Sequence, residues 1–186
     1  MNNILHYVLW GSDNGSYWIT EVNQKQYCCI ECKSKLSRDI INDKFYLKKM
    51  NYDVSFTFDG FLIGSKKFLS ILSELSLEGY SANKINQDPR YKTDYFKIEF
   101  NRIIHIDCLK AKPQIGTICE LCGQNKYVVG AHDYYLENSP RLDHGLFRTD
   151  LEFGDGFEKS PIIVVGIESA KLLLAAELKG MTLDSV

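Results

Sequence analysis

Two short stretches, Cys29-Ile30-Glu31-Cys32 and Cys119-Glu120-Leu121-Cys122-Gly123, decide how this chain can fold. Two thiolates separated by two residues can bind one metal ion from a tight turn, and two such turns supply the four ligands of a tetrahedral structural zinc site. The spacing therefore predicts one structural zinc ion that joins the N-terminal third of the chain to its middle. Its predicted ligands are Cys29, Cys32, Cys119 and Cys122.

The two chelating turns, called here the first and the second knuckle, differ in sequence. Gly123 follows the second knuckle, and glycine suits a turn in which the backbone must adopt a positive φ angle. Lys33 stands at the same place after the first knuckle, which is therefore the less ideal turn. Cys28 directly precedes Cys29, so the sequence leaves open which of these two residues binds the metal.

Other uses of the cysteines fit the sequence less well. A redox Cys-x-x-Cys pair sits at the N-terminus of a helix after a strand, and neither pair is predicted there. A catalytic zinc ion keeps an open position and usually has mixed ligands, whereas four cysteines close the shell. The histidines are scattered and form no metal-binding pattern. We therefore expect a protein without enzymatic activity.

The composition is that of an ordinary globular protein. The chain has 186 residues, 45% of them hydrophobic and 25% charged, and a formal net charge of −2, which argues against a strongly basic nucleic-acid-binding protein. The sequence shows neither a signal peptide nor an apolar stretch long enough for a membrane span. We therefore expect a cytoplasmic protein, in which thiols stay reduced and bind metals.

Apolar periodicity and turn residues predict strands and two main helices. One helix follows Ser65 as its N-cap and ends at Gly79, and the other spans Ile167–Leu178 and ends at Gly180. The predicted strands are Ile4–Trp10, Tyr17–Val22, Val54–Phe58, Phe61–Ile63, Tyr95–Asp107, Leu146–Phe153, Ile162–Val165 and Met181–Val186.

The fold class that follows is α+β, with mixed or antiparallel sheets, two main helices and a zinc-ribbon-like element formed by the two knuckles. We expect a single domain over residues 1–186, with a knuckle lobe built from about residues 25–35 and 115–128. Around each helix the sequence also recurs: Ile63-Gly64 and Gly79-Tyr80-Ser81 resemble Val165-Gly166 and Gly180-Met181-Thr182. An internal duplication and the chance recurrence of a common unit explain this equally well.

Charge is unevenly distributed along the chain. Residues 133–158 are mainly acidic with interleaved aromatic side chains, a combination that suits a basic protein partner. The more ordinary explanation is a solvated loop whose aromatic side chains face the core. The candidate partner-binding residues are Asp133, Tyr134, Tyr135, Glu137, Asp150, Glu152, Asp155 and Phe157.

The chain resembles the double-CXXCG immunity-type proteins of bacterial polymorphic-toxin systems. The resemblance rests on the paired knuckles, on the strand–helix unit between them, and on the C-terminal stretch Asp150–Leu183. It implies a small cytoplasmic protein that binds and blocks a cognate toxin encoded by the neighbouring gene, without contact to a membrane. Lys33 departs from the family pattern, which would have glycine there.

A second candidate function comes from another class of protein: a zinc-ribbon protein that binds nucleic acid or acts as a regulatory protein. Its phosphate contacts would come from a basic stretch beside the first knuckle, although Lys-rich loops are usually just solvated, so nucleic acid is the less expected partner. The basic residues are Lys33, Lys35, Arg38, Lys44, Lys48 and Lys49.

Overall fold

The computed structural model describes residues 4–49, 51–75, 79–86, 93–131, 133–138 and 141–186. Over these residues the chain forms eleven strands and four α-helices, which confirms a mixed α+β fold with a large sheet. The helices are α1 (Glu21–Tyr27), α2 (Lys66–Glu74), α3 (Cys108–Ala111) and α4 (Ile167–Ala175). The strands are β1 (Tyr7–Asp13), β2 (Val54–Phe56), β3 (Leu62–Ser65), β4 (Tyr80–Lys84), β5 (Tyr95–Phe100), β6 (Ile103–Ile104), β7 (Gln114–Ile115), β8 (Tyr127–Val129), β9 (Leu146–Asp155), β10 (Ser160–Val165) and β11 (Met181–Ser185).

The strands join in the order β4-β5-β3-β2-β1-β10-β9-β8-β7, with β11 paired to β1 and β6 paired to β9. Most neighbours are antiparallel, but β1 is parallel to β2 and β6 is parallel to β9, so the sheet is mixed. None of the helices in the described part of the chain has the length and apolar character needed to cross a membrane.

The helices α2 and α4 begin where the sequence predicted its two main helices, but they end at Glu74 and Ala175, earlier than predicted, and the short helices α1 and α3 were not predicted. The Ser65 hydroxyl caps α2 by accepting a hydrogen bond from the Phe68 amide at 3.3 Å. Phe68 and Leu72 of α2 and Leu173 of α4 are fully buried in the same hydrophobic cluster. The apolar stripes of both helices therefore pack into one core.

The predicted strand Tyr17–Val22 is wrong. Residues 17–20 have no regular structure and lead into α1, which begins after Thr20. The Trp18 and Ile19 amides donate to the buried Asp59 carboxylate at 2.9 and 2.7 Å, so a side chain takes the place of a neighbouring strand. The Thr20 amide bonds to the Asn23 side chain at 2.7 Å, which fixes the start of the helix.

The topology contains an internal duplication. In one unit, β3 and β4 lie on either side of α2 in the chain, and both pair antiparallel with β5. In the other unit, β10 and β11 lie on either side of α4, and both pair antiparallel with β1. β2 and β9 pair antiparallel with β3 and β10, respectively. The match of Gly79-Tyr80-Ser81 with Gly180-Met181-Thr182 is thus part of a larger repeat, whereas the match of Gly64 with Gly166 is wrong by one residue, since the registers place Gly64 at Val165.

The strand registers of the two units agree residue by residue. Adding 101 to the residue number (80 becomes 181) converts β4 into β11 and α2 into α4. Adding 89 (11 becomes 100) converts positions in β1 into the equivalent positions in β5. The pair Tyr80–Phe100 thereby becomes Met181–Gly11. Every pair that β1 makes with β10 and β11 has its counterpart among the pairs that β5 makes with β3 and β4.

The two halves of the chain are interlocked. The first half contains β1, the first knuckle, β2, β3, α2 and β4, and the second contains β5, the second knuckle, β9, β10, α4 and β11. β1 inserts between strands of the second half, and β5 inserts between strands of the first. Each knuckle follows an exchanged strand, so the two knuckles hold equivalent places in the duplication.

Candidate metal centre

The two knuckles bring four cysteines together. The sulfur atoms of Cys29, Cys32, Cys119 and Cys122 all lie within 4.8 Å of one another. Cys29 Sγ is 3.8 Å from Cys119 Sγ, and Cys32 Sγ is 3.5 Å from Cys122 Sγ. A tetrahedral cation with ligand bonds of about 2.3 Å would hold its sulfurs about 3.8 Å apart, so the cluster has the size of a metal site.

The structure favours Cys29 over Cys28 at the first knuckle. Cys28 belongs instead to a buried apolar cluster with Trp18 and Phe61, and burial raises the pKa of its thiol. Its backbone forms an isolated antiparallel bridge with Lys35, which fixes the turn between them. Cys28 therefore packs behind the knuckle while Cys29 contributes to the sulfur cluster.

Both knuckles have the same backbone hydrogen bonds. The amides of Lys33 and Gly123 donate to the carbonyls of Cys29 and Cys119 at 3.0 and 2.8 Å. The φ angles of Lys33 and Gly123 are 62° and 74°, so the lysine adopts the left-handed conformation for which glycine was expected. Such a conformation costs a residue with a side chain about 1–2 kcal/mol. The first knuckle keeps its geometry at that cost.

The thiols of the cluster are strongly coupled. At Cys32, burial acts to raise the pKa, but hydrogen bonds from Ser34 and the neighbouring cysteines outweigh it and lower the pKa to about 6. Burial, reinforced by the neighbouring sulfurs, raises the pKa of Cys122 to about 12. Four thiolates this close repel one another, so all four can be deprotonated only around a cation. The donor set therefore fits a divalent metal ion.

Two buried lysines attach the knuckle lobe to the sheet. The Lys35 ammonium donates to the carbonyls of Asp59 at 2.9 Å, Phe157 at 2.6 Å and Lys159. Burial and, after it, the charge of Arg38 lower the pKa of Lys35 to about 8. The Lys159 ammonium in turn donates to the Asn125 carbonyl, beside the second knuckle, at 2.6 Å. Sequence reasoning missed these contacts because their acceptors are backbone carbonyls remote in the chain.

A charged concavity lies beneath the lobe. It has a volume of about 500 Å³, and its walls include Arg38, Glu99, Arg148, Asp150 and Glu152. Arg38 forms an ion pair with Glu99 at 2.9 Å and a longer one with Glu152 at 3.7 Å. Its guanidinium also donates to the Gly60 carbonyl at 2.8 Å. Ion pairs and a backbone contact therefore hold Arg38 in the wall of this concavity.

The candidate partner-binding residues do not form one surface. Asp150 bonds to His105 Nδ1 at 2.9 Å and to the Ile106 amide at 3.1 Å, while Glu152 faces Arg38. The eight candidates fall into four groups. Glu152 lies against Arg38, and Asp150 lies near Tyr135 and Glu137 beside residues 105–107. Tyr134 contacts Trp10 and Phe153, with the exposed Asp133 next to it in the chain. Phe157 contacts Tyr17, with the exposed Asp155 two residues before it.

Sequence reasoning did not select Trp10, Tyr17 or Phe58, which the structure leaves partly exposed beside Tyr134 and Phe157. Comparison with protein-family models, with curated proteins and with solved structures finds no match for this chain.

Proposed function

We propose that this protein is an immunity (antitoxin-like) protein that holds one structural zinc ion and neutralises a cognate bacterial toxin by occluding it. The observation that carries the proposal is the four-sulfur cluster, to which each half of the chain contributes two cysteines. A metal with four protein ligands has no open position for a substrate, so it stabilises a fold rather than performing a reaction. Function then belongs to the surface that the metal holds in place.

Zinc is the metal that this donor set suits best. Soft thiolate ligands in a tetrahedral arrangement favour zinc among the divalent ions, and a four-cysteine shell is typical of its structural sites. Lys126, which pairs with Glu31 at 3.1 Å, places a cation next to the knuckles and reduces the negative charge of a thiolate–zinc complex.

The proposed partner is a toxin encoded by the neighbouring gene, as the resemblance to double-CXXCG immunity-type proteins implies. Inhibition of a toxin requires tight binding because any free toxin remains harmful. A surface that is rigid before binding loses less conformational entropy when the complex forms. The metal and the interlocked strands both supply that rigidity, which supports a stoichiometric inhibitor.

Nucleic-acid binding through residues 33–49 has less support. The Lys35 ammonium is buried against three carbonyls, and Arg38 is paired with Glu99 and Glu152. Of the six basic residues proposed to bind phosphate, Lys35 and Arg38 therefore already form contacts within the protein. Phosphate binding depends on cations that are free to replace counterions, and only the remaining lysines have that freedom.

Co-expression in a bacterial host tests the proposal. The toxin domain of the neighbouring gene should stop growth when expressed alone, and this protein should restore growth and co-purify with the toxin in a one-to-one complex. An unrelated immunity protein serves as the specificity control. Growth arrest that persists, together with separate elution of the two purified proteins, would overturn the proposed function.

A further inference from the structure

The duplication places two surface concavities at equivalent positions in the two halves. Glu99, Arg148 and Asp150 line the charged concavity beneath the knuckle lobe. The shift of 89 residues takes Glu99 to Trp10, and the β9–β10 register, which equates Leu146 with Val54, takes Arg148 to Phe56. Trp10, Phe56 and Phe58 line a second concavity of about 220 Å³, here called the aromatic notch.

The two concavities differ in which residues line them. Residues 35–39 of the knuckle lobe line the charged concavity, where Arg38 pairs with Glu99 and the Lys35 ammonium donates to the Lys159 carbonyl. The aromatic notch has no lining residue from the lobe. Trp10 and Phe58 in its walls are 37% and 46% exposed. Polar side chains of the lobe thus fill their hydrogen-bonding needs in one concavity, while the walls of its counterpart are mainly apolar.

The notch is the centre of a longer row of aromatic side chains. Tyr134 lies 6.1 Å from Trp10 between ring centroids, on one side of the notch. On the other side, Tyr17 lies 5.0 Å from Phe58 and 5.9 Å from Phe157. We call Tyr134, Trp10, Phe58, Tyr17 and Phe157 the aromatic face.

Folding does not require aromatic residues at these positions. The positions equivalent to Trp10 and Phe56 carry Glu99 and Arg148 in the other half, and the strand registers there are the same. Partly exposed aromatic side chains around an apolar hollow instead have the character of a protein-binding hot spot, in which Trp and Tyr are enriched.

The charge around the aromatic face indicates the partner's chemistry. Asp133 adjoins Tyr134, and Asp155 and Glu158 flank Phe157 in the chain; all three carboxylates are exposed. Within the described residues none of them forms an ion pair, and Glu158 accepts only a hydrogen bond from the Tyr17 hydroxyl at 2.9 Å. Of the lysines on that side, Lys33 donates to the Ile30 carbonyl at 2.9 Å and Lys126 pairs with Glu31 at 3.1 Å, while Lys44 and Lys48 line a separate hollow next to Tyr17 and Phe157. Carboxylates at both ends of an apolar row are complementary to a segment with basic residues around an apolar one.

We propose that the aromatic face is the surface that docks the toxin, with one aromatic or aliphatic side chain of the toxin inserted between Trp10 and Phe58 and basic side chains placed against Asp133, Asp155 and Glu158. This inference rests on the proposed function and identifies its binding surface. It retains Asp133, Tyr134, Asp155 and Phe157 from the sequence candidates, and it excludes Asp150 and Glu152, which line the charged concavity and have partners within the protein.

The test measures binding of the purified, inactivated toxin domain of the neighbouring gene to variants of this protein by calorimetry. Phe58→Ser and Glu158→Lys should each weaken binding at least tenfold, and intrinsic fluorescence should show Trp10 becoming shielded from acrylamide, since Trp18 is already buried. Leu174→Ser, which changes a half-exposed apolar residue on α4, is the matched control and should bind as the wild type does. Glu158 is fully at the surface, so its variant tests binding even where Phe58→Ser folds poorly.

Each outcome decides one of the two proposals. Tight wild-type binding that Phe58→Ser and Glu158→Lys both retain would overturn the aromatic face as the docking surface and leave the proposed function standing.

If the wild type does not bind the toxin domain, the proposed function fails. The notch is then tested by titrating N-acetyl-phenylalanine amide. A saturable shift of the Trp10 indole resonance that Phe58→Ser abolishes supports the notch as an apolar side-chain site. No shift, or a Phe58-dependent dimer of this chain alone, overturns the inference.

Discussion

The two halves of this chain share a backbone arrangement and differ in surface chemistry. Their strand registers, their helices α2 and α4 and the hydrogen bonds of their knuckles correspond, yet Glu99 and Arg148 in one half stand where Trp10 and Phe56 stand in the other. The shared core determines the registers, because a slip of one residue would turn buried side chains toward solvent. All four residues lie outside the set of buried residues that form this core, and these positions could therefore diverge.

The strongest test of the shared architecture is loss of one metal ligand. Cys119→Ser should lower the free energy of unfolding by about 5 kcal/mol, because it removes a ligand from a site that links both halves. Metal analysis should find about one zinc per chain in the wild type and much less in the variant. Chemical denaturation measures the loss of stability.

Cys28→Ser is the matched control for this experiment, since Cys28 is a buried neighbour of the cluster that contributes no sulfur to it. It should keep one zinc per chain and lose only the stability expected of a small core change. A zinc-free wild type that is fully folded, or equal zinc loss in both variants, would contradict the four-cysteine site.

Exchanging the chemistry of the two concavities should have unequal effects. Glu99→Gln should cost about 3 kcal/mol, because it removes the carboxylate that pairs with the buried Lys97 and leaves Arg38 with its longer contact to Glu152. Trp10→Glu, at the equivalent but more exposed position, should cost about 1–2 kcal/mol, since the new charge stays in contact with water. Urea denaturation of both variants provides the comparison. Equal losses would contradict the view that Glu99 holds a buried ion-pair network while position 10 is accessible.

Equivalent positions in the core should respond alike. Leu72 in α2 and Leu173 in α4 correspond through the shift of 101 residues, and both are 0% exposed in the same cluster. Leu72→Ala and Leu173→Ala should each cost about 2–5 kcal/mol, with similar values and unchanged denaturant dependence. If one substitution unfolds a single half at lower denaturant and the other does not, the halves are not one cooperative unit.

Sequence reasoning located the features that depend on local patterns. The cysteine spacing led to the four residues that the structure clusters, and the Ser65 cap and apolar stripe led to α2. It failed at residues 17–22, where bonds from Trp18 and Ile19 to Asp59 replace a strand partner. Such contacts join residues that are about forty positions apart in the chain, so no local sequence pattern predicts them.

The interlocking of the halves was beyond sequence reasoning for the same reason. The recurrence around Gly79 and Gly180 indicated a repeated unit, but β1 and β5 share too few residue types to reveal that they exchange places. The buried Lys35 was likewise counted among solvated cations, because its acceptors are carbonyls that only the folded chain brings near.

The smallest predicted effect concerns the one position where the knuckles differ in backbone freedom. Lys33 and Gly123 have nearly the same positive φ, and only the lysine has a side chain that crowds the backbone in that conformation. Lys33→Gly should stabilise the protein by about 0.5–1 kcal/mol, because relief of strain exceeds the added flexibility of the unfolded chain. The lost hydrogen bond from the Lys33 ammonium to the Ile30 carbonyl is exposed and offsets little. Thermal unfolding measures the shift, and Gly123→Lys, which introduces the strain into the second knuckle, should shift stability in the opposite direction. If Lys33→Gly destabilises the protein while zinc content is unchanged, the lysine side chain has a structural role that its position after Cys32 does not indicate.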